Sequence, residues 1–204
     1  MYTLLFKVWD KVKRIISTMI ERMLLPLCGV KLGKNLTCGG LVFVENMGTI
    51  TIGNNAIINS AGWANPIGAG HRCYLKTFPD GKITIGDHCG MSNCAIVSET
   101  EVCIGHCVRI GSGVKIYDTD FHPVESRFRV GKERDDSKTV SKPVIIGDNV
   151  FIGAESIILK GSSIGDNAVI GAGSVLSGNV PPNEIWAGNP AMFVKTIPER
   201  IPLQ

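Results

Sequence analysis

Residues 146–181 divide without remainder into six hexads, IGDNVF, IGAESI, ILKGSS, IGDNAV, IGAGSV and LSGNVP. An aliphatic residue opens each: Ile146, Ile152, Ile158, Ile164, Ile170 and Leu176. Glycine follows in most of them (Gly147, Gly153, Gly165, Gly171), and the position four on holds Val150, Ser156, Ser162, Ala168, Ser174 or Val180. An amphipathic helix repeats near 3.6 and a half-buried strand at 2, so a strict six with one buried position matches neither. It calls for short strands separated by turns, each stacked on its equivalent one coil away. With three hexads to a coil, Ile146 stacks on Ile164 and Ile152 on Ile170, about 4.8 Å apart along the axis. Backbone bonds then run between coils as in a parallel sheet. Each rung of the aliphatic ladder contributes about 1.5–3 kcal/mol, and stability is a nearest-neighbour property.

The rest of the chain is consistent with such a prism. Its 204 residues suffice for one domain with a sizeable core, 44% hydrophobic content is that of a water-soluble protein, and 24 glycines with only 6% aromatic residues suit tight corners and a narrow interior. Seven cysteines, an odd number without disulfide-framework spacing and with no signal peptide before them, read as reduced thiols in the cytoplasm. Cys89 takes a small-residue position of the hexad opened by Ile85 and reads as buried packing. Cys103, His106 and Cys107 offer soft metal ligands, but successive residues of a coil point in different directions and no zinc-type pair lies nearby, so no metal is expected. The net charge of +3 is concentrated early, with seven basic and two acidic residues before residue 35. No basic and aromatic interleaving runs along the coil, which excludes nucleic acid as a partner class.

Residues 3–25 set Leu5, Val8, Trp9, Val12, Ile15, Ile16, Met19, Ile20 and Met23 at helical spacing, with Lys7, Lys11, Arg14, Thr18 and Arg22 opposite. This amphipathic helix carries too many charges to span a bilayer, and Pro26 with Gly29 closes it. Its apolar stripe packs on the end of the coil or on a neighbouring subunit, or else lies in a membrane surface. The organisation expected is a helical segment 1–28, a repeat solenoid 29–185, and a cap or tail 186–204. Hexad-like units open at Leu32, Ile52 and Ile58. Asn59 to Gly81, with Trp63, His71, Tyr74 and Phe78, breaks the register. The beat resumes at Ile85, Met91 and Val97, slips by one, and continues at Ile104, Ile110 and Ile116. The polar stretch 117–143 then leaves the coil, and long ordered excursions from a rigid solenoid tend to carry function.

The hexads, Asp118-Thr-Asp-Phe-His-Pro123 and Ala187-Gly-Asn-Pro-Ala191 resemble the hexapeptide-repeat acyltransferases, in their sugar O-acetyltransferase branch, over roughly residues 52–197. Asn65-Pro-Ile-Gly68 through His122 is similar to members that modify surface polysaccharides. The resemblance implies a left-handed parallel β-helix, a homotrimer with active sites between subunits, and acetyl-coenzyme A as donor to a sugar or glycan acceptor. It also implies His122 as general base, for which the chemistry is apt, since a sugar hydroxyl is a poor nucleophile and an imidazole takes its proton as it attacks the thioester. Asp118 and Asp120 orient that ring, meet acceptor hydroxyls or cap turns. Asn93 falls near a family acceptor-binding asparagine, and His71 is a further acceptor contact, while His88 and His106 occupy outward turn positions. For the donor, the resemblance lays pantetheine along small corner residues, here Ala154, Ala172 and Ser177, with Pro190 and the tail over the adenine end. Met192 stands where relatives commonly carry arginine, which passes the phosphate contact to Lys195, and Phe151 replaces a more usual tryptophan. Arg127, Arg129 and Arg134 are available to an acidic or nucleotide-linked sugar.

Three other functions compete. An N-acyltransferase acting on an amino sugar shares the class. A non-catalytic trimeric scaffold would have no use for His122. A γ-type carbonic anhydrase needs a histidine pair five residues apart, whereas His106 and His122 are sixteen apart.

Overall fold

The computed structural model describes residues 2–68 and 71–198, with side chains from residue 7 onward. Leu5 and residues 199–204 of the expected tail lie outside what it describes at that level. The chain is a left-handed parallel β-helix of three sheets, the faces of a prism, with seven, eight and six strands. The first face begins at Val30–Leu32, the second at Thr37–Gly39 and the third at Phe43–Asn46.

The ladders form where the hexads place them. Ile146 pairs with Ile164, Ile152 with Ile170 and Ile158 with Leu176, each eighteen positions on. All six are buried. So too are Val150, Ser156, Ser162, Ala168, Ser174 and Val180. Each hexad therefore buries two residues, where the sequence reading counted one. The interior serines are tolerated because their hydroxyls donate to backbone carbonyls: Ser156 to Gly171 at 2.9 Å, Ser174 to Gly171 at 2.6 Å, Ser162 to Leu159 at 2.7 Å.

Two details of register differ from the sequence reading. The inward residue after Met91 is Ile96 and not Val97, so the beat loses one residue between Met91 and Ile96 and gains two before Ile104 instead of slipping once. Tyr74 heads a regular strand, Tyr74–Thr77, which shortens the first excursion to residues 60–72. Trp186 is not yet cap: it pairs with Ile170 and continues the second face, and Met192–Thr196 folds back antiparallel to Glu184–Ala187. Corner glycines are required by the stacking itself. A Cβ on Gly153 would lie 2.4 Å from the Ala172 nitrogen.

The helix spans Tyr2–Leu27 with Pro26 in its last turn, and Gly29 follows at φ +75°. It lies across the open end of the first coil, polar side inward. The Thr18 hydroxyl meets both backbone groups of Cys38, accepting from the amide at 2.9 Å and donating to the carbonyl at 3.2 Å. Glu21 accepts from the Val42 amide at 3.0 Å, and Arg14 donates to Asn59 at 2.9 Å. Of the alternatives expected for the apolar stripe, packing on the coil end is thus overturned, while a neighbouring subunit and a membrane surface stand. An unpaired strand edge needs hydrogen-bonding partners, and the polar side supplies them. Among the described residues no helix is long and apolar enough to cross a membrane.

All seven cysteines are free, and Cys89 is buried with its thiol donating to the Gly105 carbonyl at 3.1 Å. His106 accepts from the Asp87 amide through Nδ1 at 3.0 Å, and both it and His88 are exposed at corners.

Candidate active site

The long excursion leaves the third face after Lys115–Tyr117 and rejoins the first at Val144–Ile146. Strand alternation persists one residue past the strand: Ile116 points in, Tyr117 out, Asp118 in. The Asp118 carboxylate accepts from the amides of Glu99, Thr100 and Glu101 at 2.7, 2.8 and 2.7 Å, and from the hydroxyls of Ser98 and Thr100 at 2.9 Å each. Fully buried and bound by five donors, it holds the turn at residues 98–101. It is out of reach of an acceptor sugar, which corrects its placement among the acceptor contacts.

Past Asp118 the loop is pinched into a neck. Thr119 and Ser141 form an isolated antiparallel bridge, and both hydroxyls donate to Glu99, that of Ser141 at 2.6 Å. The neck delivers Phe121 at φ +61°, a left-handed conformation that a bulky side chain adopts rarely. The Phe121 amide donates to the Thr119 hydroxyl at 3.2 Å and its ring packs on Tyr117, centroids 5.3 Å apart. His122 follows, exposed at the mouth of a cleft of about 240 Å³ that Phe78, Glu99, Phe121, Arg134, Asp136 and Thr139 share. Beyond it, Arg129 donates to the carbonyls of Pro123 and Val124 at 3.3 and 2.9 Å. Arg127 pairs with Glu125 at 2.8 Å and Arg134 with Asp136 at 2.9 Å. All three loop arginines thus have partners within the loop, the pairs of Arg127 and Arg134 being exposed surface pairs, and Arg134 also lines the His122 cleft.

Asp120 takes a different direction. It pairs with Lys160 at 2.8 Å beside a second cleft of about 290 Å³, lined also by Tyr117, Leu159 and Ser177. Ser177 follows a third-face strand, Val175–Leu176, and so shares the edge of the excursion loop instead of the edge of Ala154 and Ala172.

The remaining predicted residues gather on the edge between the second and third faces. Asn93 sits there at φ +47°, buried, donating to the His71 carbonyl at 2.6 Å and accepting from the Ser112 hydroxyl at 3.2 Å. With His71, Arg72, Gly113 and Lys115 it lines a small cavity of about 70 Å³. Ala154 and Ala172 stack along the same edge, joined where the Gly173 amide donates to the Ala154 carbonyl at 2.8 Å. The segment of Pro190 closes that edge, with the Ala191 amide donating to Val175 at 2.8 Å, and Met192 and Lys195 stand exposed on the last strand. Small residues, Gly111, Gly113, Ala154, Ala172 and Gly173, dominate this edge, with Glu155 the one charged side chain among them, and backbone groups flanked by small residues suit recognition of a long amide chain.

One edge thus carries His122 and the other carries His71, Asn93 and the small-residue column. Sequence reading missed Glu99, Ser141 and Lys160, which lie far from the motif in sequence and meet it only through coil stacking. Among the described residues no group of three or more His, Cys, Asp or Glu gathers to hold a metal ion.

Comparison with known proteins bears on this arrangement. The family model described as hexapeptide repeat of succinyl-transferase matches residues 143–177. The chain is 44% identical over 110 residues to nodulation protein L of Rhizobium meliloti (strain 1021), covering 53% of this chain and 57% of that one. It is 40% identical over 108 residues to galactoside O-acetyltransferase of Escherichia coli (strain K12), covering 53% and 50%. The chain therefore spans about half the length of the curated relatives it matches. Among solved structures, galactoside acetyltransferase in complex with coenzyme A superposes with a TM-score of 0.56 at 28% identity, over 88% of this chain and 70% of that one. A matching repeat over residues 143–177, shared sequence over about half of the chain and a shared coil architecture agree: this chain carries the hexapeptide repeat and is similar in sequence and fold to hexapeptide-repeat acetyltransferases.

Proposed function

We propose that this chain transfers an acetyl group from acetyl-coenzyme A to a hydroxyl of a sugar or surface-polysaccharide precursor, in the cytoplasm, with His122 as general base. The observation that carries the reading is the presentation of His122: a five-donor carboxylate, a bridged neck and a left-handed Phe121 all serve to project one imidazole into an open cleft. In the proposed reaction the acceptor oxygen attacks the thioester carbonyl while His122 takes its proton. The carbon–sulfur bond then breaks, and the departing thiolate takes the proton back from the imidazolium, so no acyl-enzyme is needed.

The two-edge layout supports a homotrimer. Pantetheine laid on the column of Ala154 and Ala172 reaches His71 and Asn93 of its own chain, whereas His122 projects from a different edge of the same prism. Side-by-side association about a threefold axis brings the His122 edge of one copy against the column edge of the next. Pro190, Met192 and Lys195 then lie toward the adenine end, and Asp120 with Ser177 lies on the His122 side.

The test is turnover against a panel of sugars with mass analysis of the product. An acetyl ester is expected, and an amide on a matched amino sugar would replace this reading with N-acylation. His122→Ala is expected to lower the rate about 10²- to 10⁴-fold while coenzyme A still binds. Unchanged turnover in that variant overturns the base assignment, and failure of the wild-type chain to bind coenzyme A favours a scaffold.

A further inference from the structure

The N-terminal helix is docked by the side a globular protein normally leaves in water. Arg14, Thr18, Glu21 and Leu25 face the first coil, and both acidic residues are turned that way, Glu21 buried and Asp10 held by Lys13 at 2.8 Å. Lys13 and Arg14 also lie over the ring of Trp63, 4.7 and 5.8 Å from its centroid. The opposite side is a continuous apolar face: Trp9, Ile16, Met19 and Met23 are 59, 51, 63 and 71% exposed. Lys11 and Arg22 border it on one side, and Lys7, on the stripe of Arg14 and Glu21 but beyond the docked residues, is exposed as they are.

We infer that this face is an interfacial anchor that lies in the headgroup layer of an anionic lipid bilayer. Three observations select lipid over a second copy of the chain. The one carboxylate near the basic border that is not buried among the described helix residues, Asp10, is already paired with Lys13, so two copies joined through this face would set like charges at the rim, whereas anionic headgroups complement them. An apolar face with a cationic border on a helix that cannot span a bilayer is the pattern of an interfacial helix. Direction is the third. The polar side satisfies the open strand edge of the first coil, so the apolar face looks along the coil axis, away from the stack. A membrane plane perpendicular to that axis leaves all three side faces free, and three copies assembled side by side would present three such helices to one surface. The inference makes no use of the acetyl-transfer reading.

The experiment is co-sedimentation of the full chain with vesicles of phosphatidylethanolamine and phosphatidylglycerol, against vesicles of phosphatidylcholine alone, with light scattering of the free protein. Binding to the anionic vesicles that weakens with salt is expected. Ile16→Asp combined with Met19→Asp, both on the exposed face and away from the coil, is expected to reduce partitioning more than tenfold with the thermal transition retained. Lys7→Glu, Lys11→Glu and Arg22→Glu together are expected to reduce it on the order of 100-fold on anionic vesicles at low salt. Absence of wild-type binding overturns the inference, as does equal binding by the Asp variants. A lower particle mass in those variants without any vesicle binding assigns the face to copies of the chain instead.

Discussion

Thr119 and Ser141, 22 positions apart, pair as a single antiparallel bridge, and the Glu99 carboxylate receives a hydroxyl from each. Glu99 touches no part of the proposed reaction path other than by holding this neck and one wall of the cleft. Replacing it by alanine removes a charged acceptor from two hydroxyls, which loosens the loop without disturbing the ladders. Misplacing a catalytic group by about 1 Å is enough for a loss on the order of 10²-fold. Glu99→Ala is therefore expected to lower kcat about 10- to 100-fold with the KM for acetyl-coenzyme A nearly unchanged. Steady-state kinetics with both substrates varied checks this, and a loss confined to the donor KM would contradict it.

Asp118 and Asp120 separate stability from surface charge. Asp118→Ala strands three partly buried amides and the buried Ser98 hydroxyl at the turn 98–101 and is expected to destabilise by about 2–5 kcal/mol. Asp120→Ala breaks one partly exposed ion pair with Lys160 and is expected to shift stability by no more than about 1 kcal/mol. Urea denaturation of the two variants side by side decides the matter, and equal midpoints would remove Asp118 from its structural role.

Ile164 sits between Ile146 and Val180 in the first-face ladder. Ile164→Ala leaves a cavity between coils and is expected to cost about 2–5 kcal/mol, while Ile164→Asp buries a charge that no neighbour answers. Because contacts are nearest-neighbour, protection from hydrogen exchange should fall first in the coils on either side of residue 164. Uniform loss across the first coils as well would show a more cooperative unit than the ladders imply.

Much of this molecule is legible as periodicity. Ile146 to Leu176 declare the prism because each must enter the same narrow interior, and the coil resumes its beat at Ile146 directly above Ile104 despite the 42 positions between them. What the letters hide is polarity placed inside. Ser156, Ser162 and Ser174 look like surface residues until the corner carbonyls that accept their protons are seen. Asp118 and Asp120 are equivalent in a string; alternation carried one residue beyond Tyr117 sends Asp118 inward to five donors, and the bridge at Thr119 ends that alternation, so Asp120 faces Lys160 instead. The helix misleads in the same way. Of the places that hydrophobic spacing leaves open for the apolar side, the coil end is excluded, because that end offers unpaired backbone groups at Cys38 and Val42, and Thr18 and Glu21 answer them. His122 was marked by the resemblance, whereas Glu99 is joined to it only by stacking across coils.

The same helix contact makes stability depend on pH. Burial pushes the Glu21 carboxyl above its ordinary range, with the hydrogen bond from the Val42 amide offsetting part of the rise. Its second oxygen, Oε2, finds no partner, and the nearby Cys38 thiol is pushed up to about 12, chiefly by burial and then by the Glu21 charge, against an opposing pull from Arg14. A carboxyl with a folded pKa above its unfolded one binds its proton more tightly in the native state. Its contribution is therefore most favourable below the unfolded value of about 4.5 and declines as pH rises through the folded value, levelling off above it. Glu21→Gln keeps an acceptor for Val42 and carries no charge at any pH. The variant is expected to match the wild-type protein in acid and to exceed it in Tm near neutrality, so the two curves of Tm against pH diverge upward from about pH 4.5. Convergence at neutral pH, or a variant less stable there, would mean that Arg14 compensates the buried charge in full.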